Sequence, residues 1–118
     1  MRYLLLIYSE ESTTPPAQEE IDASMAEWYA YDQAIRDAGV RQAGEALQQS
    51  QTATTVRLKG DERVVTDGPF AETREVLGGF YLIDVPDLDT ALDWAARCPG
   101  AKYGSMEVRP IMEIEPQQ

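Results

Sequence analysis

The chain has 118 residues, 43% apolar and 26% charged, which is enough for one domain with one core. Its 21 acids outnumber its 10 bases, and the formal charge of −11 disfavours nucleic acid and anionic membrane surfaces, both of which need clustered cations. It contains no histidine, which removes Ser-His-Asp, Cys-His and His-zinc chemistry and leaves carboxylates, tyrosines, cations and a single thiol, Cys98, for any reaction.

Residues 2–8 read as a first strand. Tyr3, Leu5 and Ile7 alternate with Leu4, Leu6 and Tyr8, so both faces are apolar. "STTPPAQEE" supplies capping residues and first-turn acids for a helix over about 16–38. Its stripe is Ile21, Met25, Trp28, Tyr31 and Ile35, and Gly39 stops it. Residues 40–47 form a weakly patterned second strand. Residues 53–59 and 62–66 flank a Gly-containing turn and read as a hairpin. "DGPF" breaks the hairpin, and "AETREV" is expected to make one helical turn. Residues 78–85 are again apolar on both faces, with Gly78-Gly79 marking a bulge or a close backbone approach. The second helix is capped by Asp87, carries Leu88, Ala91, Leu92 and Ala95 as its stripe, and ends at Pro99-Gly100. A last strand covers 104–114, with Met106, Val108, Met112 and Ile114 on one face and Glu107, Arg109 and Glu113 on the other.

Strand–helix–strand therefore occurs twice, with a hairpin inserted between the two units. This predicts an α+β, ferredoxin-like sandwich over residues 1–115, followed by a loose tail at 116–118. Two helices cover one face of such a sheet. The other face, apolar in the first and fifth strands, needs a second copy of the chain, so a homodimer with a cleft beside the sheets is expected.

Asp67-Gly68-Pro69-Phe70 has two readings. As a turn, Asp67 bonds its own backbone, Gly68 supplies permissive dihedrals and Phe70 plugs the core. As a site, Asp67 faces a cleft with Glu72 and Arg74 nearby, and Asp67 and Glu72 act as a catalytic carboxylate pair. Arg109 is either a carboxylate-binding fork or the partner of Glu107 or Glu113. Tyr8 and Tyr81 can donate hydrogen bonds into the same cleft or serve as packing. Trp28 and Trp94 read as core or interface residues, and Cys98 as a small buried apolar group. No phosphate loop, dinucleotide fingerprint or metal-ligand spacing is present, so no cofactor or metal is expected. The lone cysteine fits a reducing cytoplasm, and no membrane span or signal peptide is expected.

"MRYLLLIY", "EWYAYDQAIRDAGV", "GEAL" and above all "DGPFAETRE" resemble the DGPF-type members of the YCII-related proteins, across nearly the whole chain. The resemblance implies a dimeric ferredoxin-like α/β-barrel. Some YCII relatives are small-molecule enzymes, lactone dehalogenases among them, with a histidine–aspartate pair. Here the matching Asp-Pro step is Cys98-Pro99 and there is no histidine, so that chemistry does not carry over. The resemblance also implies association with extracytoplasmic-function sigma factors, which for so acidic a chain means protein contacts rather than DNA. The sequence thus supports a small-molecule-binding homodimer, with a sigma-factor-associated interaction module as the alternative.

Overall fold

The computed structural model describes residues 1–114. The expected tail at 116–118 lies outside them. The elements are β1 (Arg2–Ser9), α1 (Gln18–Asp37), β2 (Arg41–Ala46), β3 (Thr54–Lys59), β4 (Glu62–Asp67), β5 (Val76–Asp84), α2 (Leu88–Arg97), α3 (Pro99–Tyr103) and β6 (Ser105–Pro110). A single 3-10 turn at Ser50–Thr52 leads into β3.

The doubly apolar strands lie in the middle of the main sheet. Its order is β2-β5-β1-β6, all antiparallel, with β1 and β5 at the centre. This is the ferredoxin-like arrangement of two strand–helix–strand units. Alternation sends Tyr3, Leu5, Ile83 and Val85 to the helix side, where they form the core with Ala91 and Ala95. Tyr31, Ile35 and Cys98 extend that core beneath α1. The Tyr31 hydroxyl crosses to α2 and donates to the Trp94 carbonyl at 2.8 Å. Leu4, Leu6, Phe80 and Leu82 occupy the opposite face of the sheet and are half-buried by one another. Among the described residues no helix packs on that side and no barrel is closed.

Several local expectations hold. Asp87 caps α2, its carboxylate accepting from the Thr90 amide at 2.8 Å. Gly39 follows α1 with φ 74°, and Cys98 is buried. The glycine pair satisfies both of its readings. Ile7 pairs with Gly79 and Tyr8 with Leu77, so Gly78 is the extra residue of a β-bulge. A side chain at Gly79 would stand 2.8 Å from the Glu45 carbonyl, so Gly79 is the close approach.

Others are corrected. The helix α1 starts at Gln18 with Ala17, which has no capping side chain, at its N-cap; Ser12 bonds the Thr14 backbone ahead of the helix. "AETREV" makes bends, not a helical turn. The α2 helix stops at Arg97, and Pro99 opens the short α3 rather than ending a helix, since proline suits a first helical position. The last strand ends at Pro110, leaving Met112 and Ile114 exposed. Leu88 and Leu92 are largely exposed, and the small Ala91 and Ala95 make the buried stripe.

The β3–β4 hairpin stands apart as its own two-stranded sheet. Its base is tied by bonds within itself, from the Gly68 amide to the Ala53 carbonyl and from the Thr55 hydroxyl to the Gly68 carbonyl. Further bonds, from Ser50 to the Glu11 carboxylate and from the Leu47 amide to the Gly78 carbonyl, hold its root. Beyond the root it does not pack extensively on the sheet or helices. The radius of gyration of 16.8 Å reflects this projection; a compact chain of the same length has about 13.5 Å.

Candidate functional site

The middle of α1 and the strands β2 and β5 line an open cavity of about 560 Å³. It exists because the residues under the helix are small: Gly44, Ala46, Gly78 and Gly79 line its sheet side. Met25, Trp28 and Tyr29 form the helix side, and Tyr81 completes an aromatic wall; Phe80, whose ring lies on the outer face, borders the cavity from the strand between Gly79 and Tyr81. The α1 stripe therefore changes role along its length. Tyr31 and Ile35 fill the core, Trp28 packs at its edge while lining the cavity, and Met25 is exposed at the cavity.

One end of the cavity is polar. Arg41 donates from Nε to Asp32 Oδ1 at 2.9 Å and from Nη2 to the Gly44 carbonyl at 3.3 Å. Asp32 also takes Arg36 Nε at 2.5 Å, one helical turn along α1. The Arg41 guanidinium lies 5.9 Å from the centroid of the Tyr81 ring. Tyr81 is held between Trp28, stacked at 6.5 Å, and the edge of Tyr31 at 5.4 Å.

A β-bulge aims Arg41 into this cluster. Gly44 pairs with Tyr81 on the helix side, so strict alternation would set Arg41 opposite Asp84, on the outer face. Gln42 is skipped instead, and Arg41 pairs with Ile83 on the helix side.

The charges here are fixed. Burial pushes the Tyr81 phenol up to about 12, and the Asp32 carboxylate adds to that rise. The group therefore remains a donor at neutral pH, and none of the hydrogen bonds among the described residues uses its hydroxyl. Burial alone would raise Asp32, but hydrogen bonds from Arg36 and then Arg41 outweigh it and hold the carboxyl below its ordinary value. The site presents an ionised, doubly paired carboxylate beside phenol and guanidinium donors.

Of the residues singled out from sequence, Tyr81 lines this cavity. Asp67 ends β4 on the projecting hairpin and is exposed; its carboxylate does not bond the turn. Gly68 does adopt φ 100°, but Phe70 is 78% exposed rather than plugging the core. Glu72 is exposed in the following loop, and Arg74 pairs with Glu10 at 2.5 Å in open solvent. Arg109 lies on the outer face of β6 beside Leu4, with Nη2 2.5 Å from Glu107 Oε2. That contact is electrostatic only, because the oxygen is buried and lacks an aligned donor. Tyr8 is half-buried on the same outer face, opposite Ser105. No hydrogen bond or ion pair among the described residues joins Asp67 to Arg109. Asp32 and Arg41 are the residues the sequence reading missed. The i,i+4 spacing of Asp32 and Arg36 was the available signal.

Among the described residues no group of three or more His, Cys, Asp and Glu is placed to hold a metal, and no helix is long and apolar enough to cross a membrane. A protein of Rhizobium meliloti (strain 1021), itself uncharacterised, is 40% identical over 119 residues, spanning 98% of this chain and 96% of the relative. The model of the YCII-related domain matches residues 1–115, and the chain accordingly belongs to the YCII-related family.

Proposed function

We propose that this protein is a homodimer that binds a small, flat organic acid in the cavity between α1, β2 and β5, and that it binds rather than turns over. The carrying observation is the Arg41–Asp32–Tyr81 cluster at the polar end of an aromatic cavity. The aromatic walls suit a planar ring. The guanidinium and a phenol that stays protonated suit a carboxylate. Acid–base catalysis at neutral pH calls for a group that titrates there, and Tyr81 and Asp32 are driven the opposite ways. Asp67, Glu72, Arg74, Arg109 and Tyr8 have no part in this reading. The dimer rests on the half-buried outer face of Leu4, Leu6, Phe80 and Leu82, for which the described residues provide no cover. Membership of the DGPF subgroup belongs to the same proposal and rests on the string "DGPFAETRE".

The test uses Trp28 as reporter in a Trp94→Phe background, with benzoate and salicylate as acids and benzylamine as a cation of similar size. Benzoate or salicylate is expected to change the emission saturably, and benzylamine is not. Tyr81→Phe and Arg41→Met should each weaken binding by roughly tenfold to a hundredfold, the loss of a hydrogen bond to a charged group. Equal affinities in wild type and both variants would remove the site. A cavity that takes none of these probes, together with specific capture of a sigma factor, would favour the interaction-module alternative.

A further inference from the structure

We infer that the β3–β4 hairpin is an arm that packs on a second copy of this chain. This deepens the dimer reading above and rests on it.

Residues 54, 56 and 58 share a face with 63, 65 and 67, which sets Val56, Leu58 and Val65 side by side. Their exposures are 59, 70 and 56%, and Phe70, at 78%, follows at the base. A two-stranded hairpin in water is marginal alone. This one leaves apolar side chains uncovered and gets little packing from its own protein. It is part of every copy, so its cover must be equally available, and another copy satisfies that condition.

Charge points the same way. Two chains of −11 repel each other. Over residues 54–67, Arg57, Lys59 and Arg63 balance Asp61, Glu62 and Asp67, so the arm is neutral and the surplus of acids lies elsewhere. The arm is thus a surface on which one copy can meet another without like-charge cost.

Area supplies the third argument. Four strands spaced about 4.8 Å apart and about 23 Å long give the outer sheet face roughly 440 Å². A stable contact buries about 800 Å² per partner, so the sheet face falls short by itself. The apolar face of the arm, about 10 by 20 Å, buries roughly 200 Å² of itself and roughly 200 Å² more where the partner's arm lands, which closes the gap.

The test combines light scattering with amide hydrogen exchange over a dilution series of the full chain. The wild type should be a dimer at micromolar concentration. Amides of residues 54–67 should gain roughly a hundredfold in protection between the dilute and the concentrated protein. Val56→Lys combined with Val65→Lys should weaken dimerisation by a similar factor while the near-ultraviolet circular dichroism stays native. Replacing 54–67 by a short Gly-Ser turn provides a second, independent variant with the same expected outcome. A dimer whose affinity is indifferent to both variants, and whose arm amides are equally protected at every concentration, overturns the arm and leaves the dimer standing. A wild-type chain that scatters as a monomer throughout overturns both.

Discussion

Gly78 and Gly79 are adjacent, and the structure assigns them opposite responses to alanine. A methyl at Gly79 would lie 2.8 Å from the Glu45 carbonyl and 3.4 Å from the Ala46 Cα, both backbone atoms of β2. Backbone in a paired strand does not rotate away, so β2 must shift off β5, at an overpacking cost of about 1–3 kcal/mol. A methyl at Gly78 meets nothing closer than the Ile7 carbonyl at 3.9 Å, and its φ is not positive. There the loss of unfolded-chain entropy stabilises by about 0.4–1 kcal/mol. The same entropy gain offsets part of the cost at Gly79, leaving about 1–2 kcal/mol of destabilisation. The entropy gain is common to both, so the two variants should differ by the overpacking cost, about 1–3 kcal/mol. For a chain of this size that is roughly 3–18 °C in Tm, at about 3–6 °C per kcal/mol. Thermal melts followed by circular dichroism, with urea midpoints as a check, read the difference directly. Equal midpoints, or a Gly79→Ala protein more stable than Gly78→Ala, would refute the reasoning about strand spacing at the cavity wall.

Two further outcomes follow from the buried ionisable groups. Cys98 is 2% exposed, and burial pushes its thiol up to about 11. At about pH 8 it should react with a disulfide reagent only at the rate at which the chain opens, and rapidly once guanidinium unfolds it; fast stoichiometric labelling of native protein would contradict this. Stability should also fall on the alkaline side. Cys98, Tyr81 and Tyr31 all have folded values raised by burial, so the unfolded chain releases their protons first. Their contribution is complete below an ordinary thiol value of 9.0 and a phenol value of 10.0, then is lost as pH rises through about 11 for Cys98 and about 12 for Tyr81. Each fully shielded group can give up to about 1.4 kcal/mol per pH unit, and the half-exposed Tyr81 gives less. Urea midpoints measured from pH 8 to 11 should decline with that sign, and Tyr31→Phe should flatten the slope; midpoints constant to pH 11 would exclude it.

The fold was readable because its main signals are strong and local. Both alternation classes of Tyr3 to Tyr8 and of Gly79 to Val85 are apolar, which identifies central strands, and these are the two at the middle of the sheet. Asp87 three residues before Thr90 is a cap signal whose bond is made. The misses came where tertiary packing decides between equivalent local patterns. Leu88 and Leu92 fit a helical stripe as well as Ala91 and Ala95 do, but only alanines leave α2 close to the sheet. Met112 and Ile114 continue the alternation of β6 past the point where β1 has residues left to pair with them.

The site was hidden for a different reason. Periodicity assigns a face to each residue by counting, and one skipped residue reverses the count. With Gln42 left out of the ladder, Arg41 moves from the outer face to the cavity, and no feature of "VRQAGEAL" announces the skip. The sequence drew the eye instead to Asp67–Phe70, the most distinctive string in the chain. Its turn chemistry is genuine: Gly68 takes φ 100° and locks to Ala53 and Thr55. That locking fixes the root of the hairpin and leaves Phe70, three residues past β4, exposed like Val56 and Val65. A phenylalanine buried in this chain's own core would gain about 1.5–3 kcal/mol. Its outward position is therefore better explained by a surface that another molecule completes than by a loop built around a catalytic aspartate.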